Sequence, residues 1–284
     1  MQLGNEGDDR SNVEDRRGSG GGGGLKLGLG GMLVVGVLSL VFKQNLFALV
    51  GQGGDDAAPA AQGARADPEQ TQRGRAEAGD EKVAIASFND VQKTWGQAVQ
   101  GYRPAKLVLF WDETRSGCGA AGAEMGPFYC PSDQKVYIDL GFYRELAQRF
   151  GAPGSFAQAY VIAHEVGHHV QKVLGISDKV TAAQQRDPSA RNPLSVKLEL
   201  QADCFAGAWA HSAAQRKELD PGDLEQGLRA AAAVGDDHIQ KMAGRRVSPE
   251  SFTHGSAEQR SRWFRRGFDR GDLNSCDTFA QGNQ

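Results

Sequence analysis

The segment AYVIAHEVGHHVQKVLG, residues 159–175, constrains this 284-residue chain more than any other. Val161, Ile162, Val166, Val170, Val173 and Leu174 spread apolar surface around a helical projection, so a helix here belongs inside a core. The same segment carries His164, Glu165 and His168, and polar groups withdrawn from water must find partners.

His164 and His168 are four residues apart, which on a helix sets them on one face a turn apart, where two imidazoles can hold a single zinc ion. Glu165 is rotated by about 100° from His164, beside the open position of such a metal, where a general base must lie. Ser155 is positioned to cap this helix and Gly175 to end it. The plain alternative, a helix with surface histidines, leaves these polar groups unexplained in an apolar setting.

A catalytic zinc needs a third protein ligand and an open fourth position. ELQAD, residues 199–203, lies in a second helical pattern 31 residues beyond His168. Glu199 takes the ligand position. Asp203, one turn on, can accept a hydrogen bond from the far nitrogen of a ligand histidine and fix its tautomer. Taken alone, Glu199 would read as an exposed helix carboxylate. His254, in the loop SFTHGS, could reach a cleft and stabilise an oxyanion, or serve equally well in capping or packing. His169, His211 and His238 read as structural or surface residues.

With 24% charged residues and a net charge of −3, the chain lacks the electrostatic footprint of a nucleic-acid binder. The charge and glycine are unevenly distributed. Residues 1–80 hold 18 of the 38 glycines and 8 Lys/Arg against 11 Asp/Glu, leaving 24 against 24 in the remainder. Residues 1–24 read as a disordered Gly-rich tail. Residues 25–51, uncharged from Leu27 to Phe42, read as one transmembrane helix. Residues 52–80 read as a flexible linker, and residues 81–284 as the folded domain. A cleaved signal peptide fits less well, because the first A-x-A site after the apolar run, Ala58-Pro59-Ala60, contains proline and lies far from that run. Arg16, Arg17 and Lys26 before the run, with Asp55 and Asp56 after it, orient it with a cytoplasmic N-terminus and an extracytoplasmic, periplasmic domain.

Within the domain, Ser87 is a candidate cap for a helix through Val91, Trp95 and Val99 that ends by Pro104. Two apolar runs, Lys106–Trp111 and Lys135–Leu140, have strand character, and the Gly-rich stretch between them reads as a loop. Helices are expected at Phe142–Phe150, Ser155–Leu174, Leu194–Lys217, Gly222–Met242 and Ser256–Phe268. The class is α+β, mostly helical with a small sheet. An even number of cysteines in an extracytoplasmic domain suggests disulfides. Of three pairings, a loop-closing Cys118–Cys130 leaves Cys204–Cys276; four buried thiols are the alternative.

These motifs together resemble the bacterial putative neutral zinc metallopeptidase family. The resemblance runs through the tail and anchor, the G-C-G and PFYCP loop, HEVGHH, ELQADC, THGS-x-x-QR, RWFRRGF and the final Cys-Asp-Thr-Phe, nearly the whole chain outside the linker. It implies a zincin-like α+β domain holding one zinc ion through His164, His168 and Glu199, with Glu165 as general base. A peptide or protein would be the substrate, and an oxyanion would be steadied by His254 or a tyrosine such as Tyr137. The strand Lys135–Leu140 could pair with an extended substrate by edge addition. Two other functions fit the same residues: an envelope binding module whose zinc is not catalytic, and a zinc amidase acting on cell-wall peptides.

Overall fold

A computed structural model describes residues 1–2, 9–17 and 68–280, with the backbone alone over 68–76. The apolar run Leu27–Phe42 lies outside these residues, and among those described no helix is long and apolar enough to cross a membrane. Six strands and eight α-helices follow in order among the described residues: β1 (Val13–Asp15), α1 (Pro68–Ala98), β2 (Lys106–Phe110), β3 (Glu113–Ser116), β4 (Gly119–Gly122), β5 (Phe128–Cys130), β6 (Lys135–Asp139), α2 (Gly141–Gln148), α3 (Ser155–Val173), α4 (Ile176–Arg186), α5 (Arg191–Gln215), α6 (Asp223–Ala233), α7 (Asp236–Met242) and α8 (Ala257–Arg270). The mostly helical α+β class holds.

The main sheet has the order β1-β2-β6-β5, with β1, β2 and β6 parallel and β5 antiparallel to β6. Side chains alternate across it as the pleat requires. Leu107, Leu109, Val136 and Ile138 join the large helical core, while Val108, Phe110 and Tyr137 pack with Cys130 and Phe128 on the other face. β3 and β4 form a separate hairpin inside the expected Gly-rich loop. Cys118–Cys130 ties that hairpin to β5, and Cys204–Cys276 ties α5 to the C-terminal segment.

Several expectations are corrected. The expected tail, residues 1–24, contributes β1, which pairs Val13, Glu14 and Asp15 with Leu107, Val108 and Leu109. Ion pairs from distant parts of the chain hold it there. The Glu14 carboxylate accepts from Lys135 Nζ at 2.7 Å, which lowers its pKa to about 2, and Arg17 meets Glu81 at 2.8 Å. The folded part does not begin near Glu81 either. α1 starts at Pro68 within the expected linker, and Ser87 is a buried mid-helix residue rather than a cap, because Ala84, Ile85 and Phe88 continue the apolar face upstream. The pattern Gly222–Met242 is two helices broken at Val234-Gly235, and α4 was not anticipated. β6 is an interior strand with β2 and β5 on its two edges, so it cannot take a substrate strand. Tyr137 is fully buried, with its hydroxyl on Asp133 at 2.6 Å, and steadies no oxyanion.

Candidate metal centre

The motif helix α3 packs against α1, α5 and α6, and nearly all of it is buried. Ser155 is its first residue rather than its cap; Gly154 precedes it, and Gly175, with φ at +71°, ends it as expected. Gly167, between Glu165 and His168, lets α3 and α5 approach closely. A Cβ there would lie 3.1 Å from the Ala202 carbonyl oxygen. This approach brings α3 against the ELQAD turn of α5.

There His164, His168 and Glu199 converge, one ligand atom from each lying within 4.8 Å of the others. His164 Nε2 lies 3.1 Å from Glu199 Oε2 and His168 Nε2 lies 3.4 Å from Glu199 Oε1. The far nitrogens are engaged elsewhere. His164 Nδ1 donates to Asp203 Oδ1 at 2.9 Å, and His168 Nδ1 donates to Gln171 Oε1 at 2.9 Å. Each bond directs the lone pair on Nε2 toward the common point, which is the arrangement that metal-binding imidazoles need. The donor set, two imidazoles and a carboxylate, fits zinc with one position open. Burial works against a charged Glu199, but the neighbouring imidazoles of His168, His164 and His254 outweigh it and hold its carboxyl well below the usual range, so the third donor is a carboxylate.

Glu165 stands outside this donor set and is only 8% exposed. Burial pushes its carboxyl pKa up, against the pull of His164 and His168, which makes it a better proton acceptor near neutrality. Asp203, fully buried, accepts from the Tyr160 hydroxyl, His164 Nδ1 and the Arg260 guanidinium.

His254 lies beside the centre on the loop before α8. Its Nδ1 lies 3.1 Å from Asp236 Oδ1, while Asp236 Oδ2 accepts the backbone N–H groups of Thr253, His254 and Gly255 at 2.7, 2.7 and 3.1 Å. Desolvation works against a charged imidazole, but the Asp236 hydrogen bond and the Glu199 carboxylate outweigh it and hold the His254 pKa above its ordinary value. His169 is structural, its Nε2 donating to the Arg103 carbonyl at 2.6 Å and its Nδ1 accepting from Tyr129 of β5 at 3.0 Å.

Tyr160, Gln171, Asp236 and Arg260 were not singled out from the sequence. For Tyr160 and Gln171 a signal existed: they lie four residues before His164 and three after His168, on neighbouring positions of the helix surface. Asp236 and Arg260 come from other helices, and only the fold brings them here.

Two motif histidines on one helix, a carboxylate from a second, and a buried glutamate outside the donor set form a candidate metal centre with the H-E-x-x-H pattern. The chain belongs to the putative neutral zinc metallopeptidase family, whose sequence profile matches residues 3–279. It is 47% identical over 284 residues to the uncharacterized protein YpfJ of Escherichia coli K12, covering 95% of this chain and 96% of that protein. It is 44% identical over 207 residues to the uncharacterized protein Rv2575 of Mycobacterium tuberculosis H37Rv, covering 69% of each. No solved structure matches the chain.

Proposed function

We propose that this chain is a zinc-dependent peptidase in which His164, His168 and Glu199 hold the metal and Glu165 is the general base. The observation that carries the reading is the convergence of two oriented Nε2 atoms and a carboxylate, with buried Glu165 beside that set. When bound, the metal would supply Lewis acidity and an acidified water. Glu165 would take a proton from the attacking water and deliver it to the departing amine. His254, oriented by Asp236, donates from Nε2 to the developing oxyanion. That donation requires the imidazolium form, because Nδ1–H already serves Asp236. The rate should therefore fall as pH rises through the His254 pKa. An extended peptide would add to β5, the outer strand on this side of the sheet, which Tyr129 links to the motif helix.

The test is incubation of the full-length, zinc-loaded protein with an unfolded protein and with cell-wall peptides, with and without chelator. Peptide cleavage that chelator abolishes and zinc restores is the expected result. His254→Ala should lower kcat by about 10²-fold and flatten the alkaline limb, with zinc content unchanged. No chelator-sensitive product from either substrate would favour the binding module, and cleavage confined to cell-wall peptides would favour the amidase.

The apolar run supports attachment to a membrane, but the β1–β2 ladder argues against the orientation that the flanking charges suggest. Strands of one sheet lie on one side of a bilayer, so the ladder favours β1 and the peptidase domain sharing one side. Two disulfides support an oxidising, extracytoplasmic setting for both. Topology reporters fused before β1 and after α8 should report the same side. Reports from opposite sides would mean that β1 leaves the sheet in the cell.

A further inference from the structure

Behind the metal centre lies a charged residue that a well-packed apolar side chain could have replaced. Arg260 is 3% exposed, and its partner Asp203 is fully buried. Burying such a pair is costly, and apolar residues of similar volume often stabilise a core as well. The geometry indicates what the pair does instead. Arg260 Nε donates to Asp203 Oδ2 at 2.8 Å and Nη2 donates to Oδ1 at 3.0 Å, a two-pronged bond that fixes the plane of the carboxylate. Oδ1 is the oxygen that receives His164 Nδ1. Nη2 also lies 3.3 and 3.4 Å from the two nitrogens of the His164 ring and 3.3 Å from the Tyr160 hydroxyl. Nη1 donates to the Val234 carbonyl at 3.2 Å, which holds the guanidinium from its far side. Arg260 sits in the first turn of α8, whose start is set by a capping box between Ser256 and Gln259.

We propose that Arg260 is a positioning residue that acts through Asp203 to aim His164 Nε2 at the metal. The proposal rests on the zinc reading of the site. Its chemistry needs a fork rather than a charge: a lysine ammonium carries the same charge but cannot span both carboxylate oxygens in a fixed plane.

The test is zinc affinity of the full-length protein, measured by chelator competition, in a double-mutant cycle between Arg260→Met and Asp203→Asn. Each single substitution should weaken zinc binding by about 10- to 100-fold, the range for loss of an outer partner of a metal ligand. The double variant should bind no more weakly than Asp203→Asn alone if Arg260 acts through the Asp203 carboxylate, whereas a direct effect on His164 or on Glu199, 3.9 Å from Nη2, would add to the loss. Arg260→Lys should recover little of the loss. Should Arg260→Met fail to fold because it leaves Asp203 buried and uncompensated, the comparison of Asp203→Asn with the double variant, which removes both charges, still decides the matter. Multiplying losses, or full rescue by lysine, would overturn this proposal alone. Absence of zinc binding by the wild-type protein would overturn the metal reading and this proposal together.

Discussion

Replacing Glu165 with Gln should leave a folded protein that takes up zinc as the wild type does, yet turns over peptide about 10²- to 10⁴-fold more slowly. Zinc should stay because Glu165 is outside the converging donor set of His164, His168 and Glu199. The fold should stay because the amide has the carboxylate's shape and fits the same buried position. The rate should fall because an amide cannot accept and return a proton. Burial, which makes the native carboxyl more basic, would count for nothing in the variant. Steady-state kinetics together with metal analysis of the same preparation make the measurement; wild-type turnover by zinc-loaded Glu165→Gln would remove the general base from the scheme.

The largest expected loss of stability comes from a change far smaller in volume. Gly207→Ala should destabilise the protein by about 3–5 kcal/mol, a fall in melting temperature of roughly 10 °C for a domain of this size. In an ordinary helix interior the same substitution would stabilise by about 1 kcal/mol, so the sign itself is the test. α5 and α8 cross here with their backbones in contact. A Cβ on Gly207 would lie 2.0 Å from the Phe264 carbonyl oxygen, and one on Gly267 would lie 1.9 Å from the Cys204 carbonyl oxygen. Neither obstacle is a flexible side chain, so the helices must part. They carry Glu199 and Asp203 on one side and Arg260 on the other, so parting them should also weaken zinc binding. Gly267→Ala should behave alike. A thermal melt of Gly207→Ala at or above the wild-type temperature would contradict this account of the crossing.

How much of this was legible in the sequence differs between the site and its frame. His164, Glu165, His168, Glu199 and Asp203 all lie on two helices, and helical spacing places i and i+4 on one face whatever surrounds them. The structure adds that the two faces meet. The strand Lys106–Phe110 and the alternation of Val136 and Ile138 were legible for the same reason, a local period. Ser87 misled because a hydroxyl before an apolar run has the form of a cap, whereas Ala84 and Ile85 show the run to be already under way. β1 left no signal: three residues, two of them acidic, have no periodicity, and their extended form is stabilised by the edge of β2 and by Lys135, more than a hundred residues away.

The sequence by itself therefore picked out the candidate donors, the candidate base and the helices that carry them, because His164, Glu165 and His168 on one helix and Glu199 and Asp203 on another are each related by spacing within about one helical turn. Only the tertiary structure decided which groups stand behind those donors. Asp236 beneath His254, Arg260 behind Asp203 and Glu14 on Lys135 are pairings between elements, and the close crossings at Gly167, Gly207 and Gly267 set their distances. A charge on one helix does not specify its partner on another until the packing of apolar surface and backbone has brought the two together.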